Sequence, residues 1–149
     1  FFRHFSPRFS APHTVFLAMF ATSSPFELIW LSSSLFSVGA TIQRIIGRGT
    51  FLLLYGLGAM SSVLIAAYNR HSASGASGVL AAYAYHALAA PRARHSLFGV
   101  EMGGRAALMV NAALATWPMI NGGSAPMAMA LTGTPALVGA AIWYATSRG

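Results

Sequence analysis

Long apolar runs separated by short polar breaks dominate this chain. Five of them read as helical spans: Pro25 to Ile46, Thr50 to Tyr68, Gly75 to Ala90, Leu97 to Trp117 and Ser124 to Thr146. Each lies near the roughly 17–25 residues that cross a bilayer core, the third being short. No strand-like alternation competes with the helical reading, and in lipid a helix satisfies its own backbone groups. The pattern predicts an all-α fold, a polytopic transmembrane helix bundle of about five spans over residues 25–149. The apolar stretch from His13 to Thr22 is only about ten residues long, which suits an interfacial or re-entrant piece. Residues 1–24 are therefore set apart as an N-terminal segment.

The breaks carry turn chemistry. Gly47-Arg48-Gly49 predicts a tight turn and Asn69-Arg70-His71-Ser72 a short polar loop. Pro91-Arg92-Ala93-Arg94-His95 ends the third helix, and Asn121-Gly122-Gly123 precedes the last. Connections this short join neighbouring, antiparallel helices. No internal repeat is found. Small residues are dense within the spans, among them Gly56, Gly58 and Ala59, then Ala81, Ala82 and Ala84, then Gly133 and Gly139. Helices associate in lipid by close backbone approach, so these positions predict helix contacts.

Composition places the chain in a membrane. Of 149 residues 56% are hydrophobic and 7% charged, and the mean hydropathy is +0.61; a soluble domain carries about 25% charged residues. Little mass is left for a soluble domain. The absence of cysteine excludes disulfides, thiolate metal sites and cysteine nucleophiles. Nine arginines against two acids, Glu27 and Glu101, give a net charge of +7. In a soluble protein that balance would suggest nucleic acid. Here the arginines sit mostly in the connections, where they fix orientation and meet lipid phosphates, so lipids and other membrane subunits are the expected partners and nucleic acid is not.

If five spans alternate, Arg44, Arg48, Arg92, Arg94, Arg105 and Arg148 share one side, the matrix, stroma or cytoplasm. Arg3, Arg8 and Arg70 share the other, which places Ser77 near that opposite face. The start, Phe1-Phe2-Arg3-His4-Phe5-Ser6-Pro7-Arg8, is free of acids and resembles the remnant of an organellar transit segment. It points first to the mitochondrion and second to a plastid.

Individual polar residues inside the spans are few. Glu27 either caps the first helical turn after Pro25, close to headgroups, or pairs with an arginine of a neighbouring subunit. Glu101 and Arg105 stand four apart and predict an ion pair on one helix. Trp30, Trp117 and Trp143 with Tyr55, Tyr68 and Tyr144 fall mostly near span ends, as an interfacial belt would. His86 is the one candidate axial ligand for a haem or pigment, but a buried histidine bonded to a backbone carbonyl is commoner. No cofactor and no metal site are expected.

The most informative run is Gly75-Ala76-Ser77-Gly78 at the mouth of the third span. Upstream stand Gly39-x3-Gln43-x3-Gly47-x-Gly49 and then a span with Tyr55 and small residues; the last span holds Ala125-Pro126-x6-Gly133. In this order and spacing, over residues 25–140, the chain resembles the rhomboid family of intramembrane serine proteases. The resemblance implies a compact helical bundle whose short central helix carries the serine at its tip, with Gly39, Gly75, Gly78 and Gly133 as helix-packing positions. Rhomboids also carry one more span ahead of the matched segment and a loop with a Trp-Arg pair; residues 1–24 are too short to hold both.

Protease chemistry needs more than the serine. Its hydroxyl requires a base, and the tetrahedral oxyanion requires donors aimed at it. Where the family places the histidine base, in Ala-His-x6-Gly, this chain has Pro126. Where the family has His-x3-Asn-x7-Gly for the oxyanion, it reads Glu27-x3-Leu31-x7-Gly39. A carboxylate repels an oxyanion and leucine donates nothing. His86 lies roughly 13 Å along the helix axis from Ser77 and half a turn out of phase, so it cannot serve. His71, in the loop before the serine, could approach it, but nothing orients its ring.

Ser77, Glu27, Leu31 and Pro126 therefore read as vestiges, and the chain as a pseudoenzyme. The expected role is a structural or assembly subunit of a larger complex of the mitochondrial inner membrane, such as a respiratory complex, the ATP synthase or a translocase. The alternatives are a client-binding pseudoprotease and, third, an active protease using Ser77.

Overall fold

The computed structural model describes residues 24–69, 76–97, 99–121 and 125–148, together with His13, Leu17, Met19, Phe20 and Thr22. The first helix, α1 (Pro25–Tyr68), begins where its local sequence dictates. Ser24 is the N-cap and its side chain accepts the Glu27 N–H at 3.1 Å, while Pro25 occupies the first turn, where a missing N–H costs nothing. Ser-x-x-Glu is the sequence signature of such a cap. This is the helix-end placement expected of Glu27.

The 44-residue α1 is broken at Gly47, whose φ of 77° and ψ of 164° are accessible to glycine and costly for any other residue. The predicted turn over 47–49 is thus a single residue, because Arg48 and Gly49 are already helical. Two limbs result, 25–46 and 48–68, each roughly 30 Å long at 1.5 Å per residue. The second returns along the first: a Cβ at Gly39 would lie 3.4 Å from Cζ of Phe51.

The short helix α2 (Ala76–Ala89) is the centre of the bundle. Every residue from Ala76 to Ala87 is buried, as a helix apolar on all sides must be. The other helices each offer it one stripe. On the first limb the stripe is Glu27, Trp30, Leu31, Ser34, Val38 and Ile42, and on the second it runs from Phe51 through Leu54 and Gly58 to Ser62. These recur at three and four, the spacing of one helical face.

Between α2 and the next helix the chain forms a hairpin, β1 (Arg94–Leu97) antiparallel to β2 (Val100–Gly103), with Arg94 opposite Gly103 and Leu97 opposite Val100. This corrects two expectations. The fourth apolar run does not begin a helix at Leu97; Gly99, with φ 79°, reverses the chain, and α3 starts at Gly104 and ends at Asn121. Glu101 therefore lies on a strand and meets Arg94 at 3.8 Å rather than Arg105. Both side chains are exposed, so this pair stabilises little.

The last helix, α4 (Ala125–Ser147), carries Pro135 in its interior and buries Ala128, Leu131, Pro135 and Gly139 along one stripe. Among the described residues two helices, Pro25–Tyr68 and Ala125–Ser147, are long and apolar enough to cross a membrane. The 14 residues of α2 are fewer than a bilayer core requires. Outward-facing positions are apolar: Phe36, Leu52, Met109, Met129 and Leu137 are 67–85% exposed. That much uncovered apolar side chain suits lipid rather than water.

Candidate functional site

Ser77 sits in the first turn of α2, 4% exposed, between Ala76 and Gly78, which are also buried. The second limb of α1 crosses it closely. A Cβ at Gly78 would come within 2.6 Å of the Tyr55 ring, and one at Gly58 would collide with the Ala81 methyl and approach the Ser77 carbonyl oxygen at 3.3 Å. Phe20, from the N-terminal segment, stacks on Tyr55 with ring centroids 6.3 Å apart. Met19 beside it is buried against Ala59 and Val63. Tyr55, with Phe20 stacked on it, thus packs against Gly78, the residue that follows Ser77.

The positions expected around a serine nucleophile fall as follows. Glu27 is buried in the first turn of α1, and Leu31, one turn on, is 5% exposed within the core. Pro126 lies in the first turn of α4 and is exposed. Gly75 and His71 lie outside the described residues. Gly133 is exposed on α4, and a Cβ there would meet nothing within 4 Å. The close approach on that helix falls at Gly139, where a Cβ would collide with the Ala81 carbonyl oxygen and meet the Ala84 methyl at 3.0 Å. This corrects the packing role expected of Gly133: α4 turns position 139, not 133, toward α2.

The family model for the rhomboid domain matches residues 10–148. The chain belongs to the rhomboid family. No curated protein and no solved structure matches it. The membrane location that the apolar helices suggest follows from the same assignment.

At the other end of the central helix this rhomboid carries a second polar cluster. Asn111 of α3 is fully buried, and its Oδ1 accepts hydrogen bonds from Trp30 Nε1 at 2.8 Å and Ser34 Oγ at 3.0 Å, while its Nδ2 donates to the Ala107 carbonyl at 2.7 Å. Every polar atom of the amide is engaged, as burial demands. Next to it Tyr83 OH donates to the Ser34 carbonyl at 3.5 Å, and its ring meets His95 edge-on.

His95, on β1, is 5% exposed and bonds through Nε2 to Nδ1 of His86 at 3.2 Å, one ring donating and the other accepting. Burial lowers the His95 pKa below its ordinary value; a backbone hydrogen bond with Ser37 opposes the shift. The commoner reading of His86, a bond to a backbone carbonyl, is corrected: its partner is another histidine, and its Nε2 is buried without a hydrogen bond. The run that ends the third helix thus carries His95 inward, because the hairpin folds it against the bundle.

Sequence reasoning missed this cluster. The available signal was Asn111, an amide inside an apolar run, since polar residues at membrane depth face the bundle interior. His95 carried no comparable signal without the hairpin. Among the described residues no three His, Asp or Glu side chains gather as metal ligands.

Proposed function

We propose that this rhomboid is a non-catalytic member whose bundle serves as a structural subunit of a larger membrane complex, in the mitochondrial inner membrane. The observation that carries the reading is the serine corner itself. Ser77 is buried in the first turn of the central helix, and the position that supplies the family's base holds Pro126, which has neither a titratable side chain nor a backbone N–H. An unactivated hydroxyl is a weak nucleophile. Glu27 and Leu31 at the oxyanion positions add no donors to stabilise developing negative charge.

The subunit role is supported by what remains once chemistry is removed. Among the described residues the hairpin of β1 and β2 is the only regular element besides the helices, and the lateral face of the bundle is apolar and exposed. The mitochondrial assignment rests on the arginine-bearing, acid-free composition of residues 1–24. Solubilisation from the native membrane in mild detergent, native sizing and mass spectrometry of co-migrating chains test the reading. A stoichiometric set of partners supports it; a lone particle of the chain's own size overturns it.

A further inference from the structure

Outside both polar clusters, the first limb of α1 and the start of the second enclose an open groove of about 430 Å³. Leu35, Phe36, Gly39 and Ala40 line it between Ser32 at one end and Gln43 at the other, at the three- and four-residue spacing of one helical face, and Phe51 closes its side. The small residues keep its floor low, and Phe36, 85% exposed, stands as its outer wall. From Ser32 to Gln43 the limb rises roughly 16 Å, about the depth of one leaflet, half of a core roughly 30 Å thick.

Charge begins where the groove ends. Arg44 follows Gln43 directly and Arg48 stands just past the break at Gly47; both are exposed, and neither forms an ion pair among the described residues. The carboxylates of the chain are engaged elsewhere or distant. Glu101 faces Arg94, and Glu27 lies at the far end of the limb, roughly 25 Å from Arg44. A leaflet-deep apolar groove followed along the chain by two exposed arginines, unpaired among the described residues, complements one kind of molecule, with a hydrocarbon chain and an anionic head in that order.

We propose that this groove is a binding site for one phospholipid of net negative charge, its acyl chain against Gly39 and Ala40 and its phosphate at Arg44 and Arg48. A zwitterionic lipid would fill the groove equally but would bring its own cation to the arginines. The anionic head is therefore selected at the mouth and the chain along the limb. The inference is independent of whether the bundle is catalytic or part of a complex.

The test is native mass spectrometry of the full-length chain released from phosphatidylcholine nanodiscs doped with phosphatidylglycerol. The wild type is expected to retain one phosphatidylglycerol, enriched on the order of tenfold over its share of the disc. Arg44→Gln with Arg48→Gln should abolish the enrichment while leaving a lipid in place. Ala40→Leu, at an exposed position that cannot unfold the core, should remove the retained lipid with the charges intact. Arg92→Gln, in the loop that follows α2, should change nothing. Equal retention of phosphatidylcholine, or equal loss on Arg92→Gln, overturns the site. A photocrosslinker at Phe36 that captures a protein helix in the native membrane, instead of lipid, overturns it as well.

Discussion

A methyl group added at Gly78 would lie 2.6–2.8 Å from three atoms of the Tyr55 ring, whereas one at Gly133 would meet nothing within 4 Å. Glycine is thus required at the first position by a neighbour and tolerated at the second. Gly78→Ala is expected to lower stability by about 1–3 kcal/mol, the usual cost of forcing extra volume into a packed contact. Thermal unfolding in detergent should show it, with partial recovery when Tyr55→Leu is added. Gly133→Ala should leave the transition unchanged or raise it slightly, since alanine favours the helix. A fall equal to that of Gly78→Ala would show that α4 packs elsewhere than at Gly139.

The histidine pair makes a second expectation at this scale. The His95 pKa is lowered on folding, so below the ordinary histidine value near 6.5 the unfolded chain binds more protons than the folded one. Stability is then full above that pH and declines as pH falls below it. The charged groups of the hairpin, Arg94 and Glu101, are exposed and paired with each other, which leaves burial against α2 as the dominant influence. Midpoints of unfolding recorded from pH 7.5 to 5 should fall in wild type and fall less steeply in His95→Gln, where only the buried His86 is left to take up a proton on unfolding. A flat wild-type profile would show that proton uptake by this pair is not linked to unfolding.

Among elements, α1 offers the sharpest contrast. Gly47 holds φ 77° and ψ 164°, while Gly49, two residues on, is helical with open space around it. Gly47→Ala should cost about 1–3 kcal/mol of backbone strain, and Gly49→Ala should be neutral or stabilising. Comparing the two unfolding midpoints separates the break from general helix propensity. The α1–α3 contact is tested by Asn111→Leu, which strands the Trp30 and Ser34 donors. A loss of about 1–2 kcal/mol is expected for bonds between helices in lipid.

These same elements show what the sequence makes legible. Gly47-Arg48-Gly49 announces the break because left-handed backbone needs glycine, and Pro25 after Ser24 announces a helix start because both satisfy first-turn geometry. The hairpin was hidden. Leu97 to Gly104 is as apolar as the helix that follows it, so periodicity reads straight through Gly99. No local pattern brings His95 to His86, and the four-residue spacing of Glu101 and Arg105 mimics a helical pair that the hairpin separates. At the serine corner the sequence names the residues, but the contacts of Tyr55 with Gly78 and of Phe20 with Tyr55 join distant segments that no local pattern relates.

For the whole molecule, the proposed loss of chemistry and the proposed structural role make one joint prediction. If Ser77 is a packing residue, Ser77→Ala puts another small side chain into a buried first turn and keeps the packing of the helix. The variant should then enter the same native assembly as the wild type, in the same amount, and neither protein should react with a fluorophosphonate in lipid. Gly139→Leu is the counterpart, because its side chain would be driven into the backbone of the central helix at Ala81, which cannot yield as a flexible side chain could. Separation of α4 from α2 should deplete the assembly even though residue 139 is remote from the serine. Labelling of Ser77 that Ser77→Ala abolishes would overturn the non-catalytic reading whatever the assembly does. Full assembly of Gly139→Leu would show instead that partners grip the chain without needing the intact bundle, so the two outcomes separate the chemical claim from the architectural one.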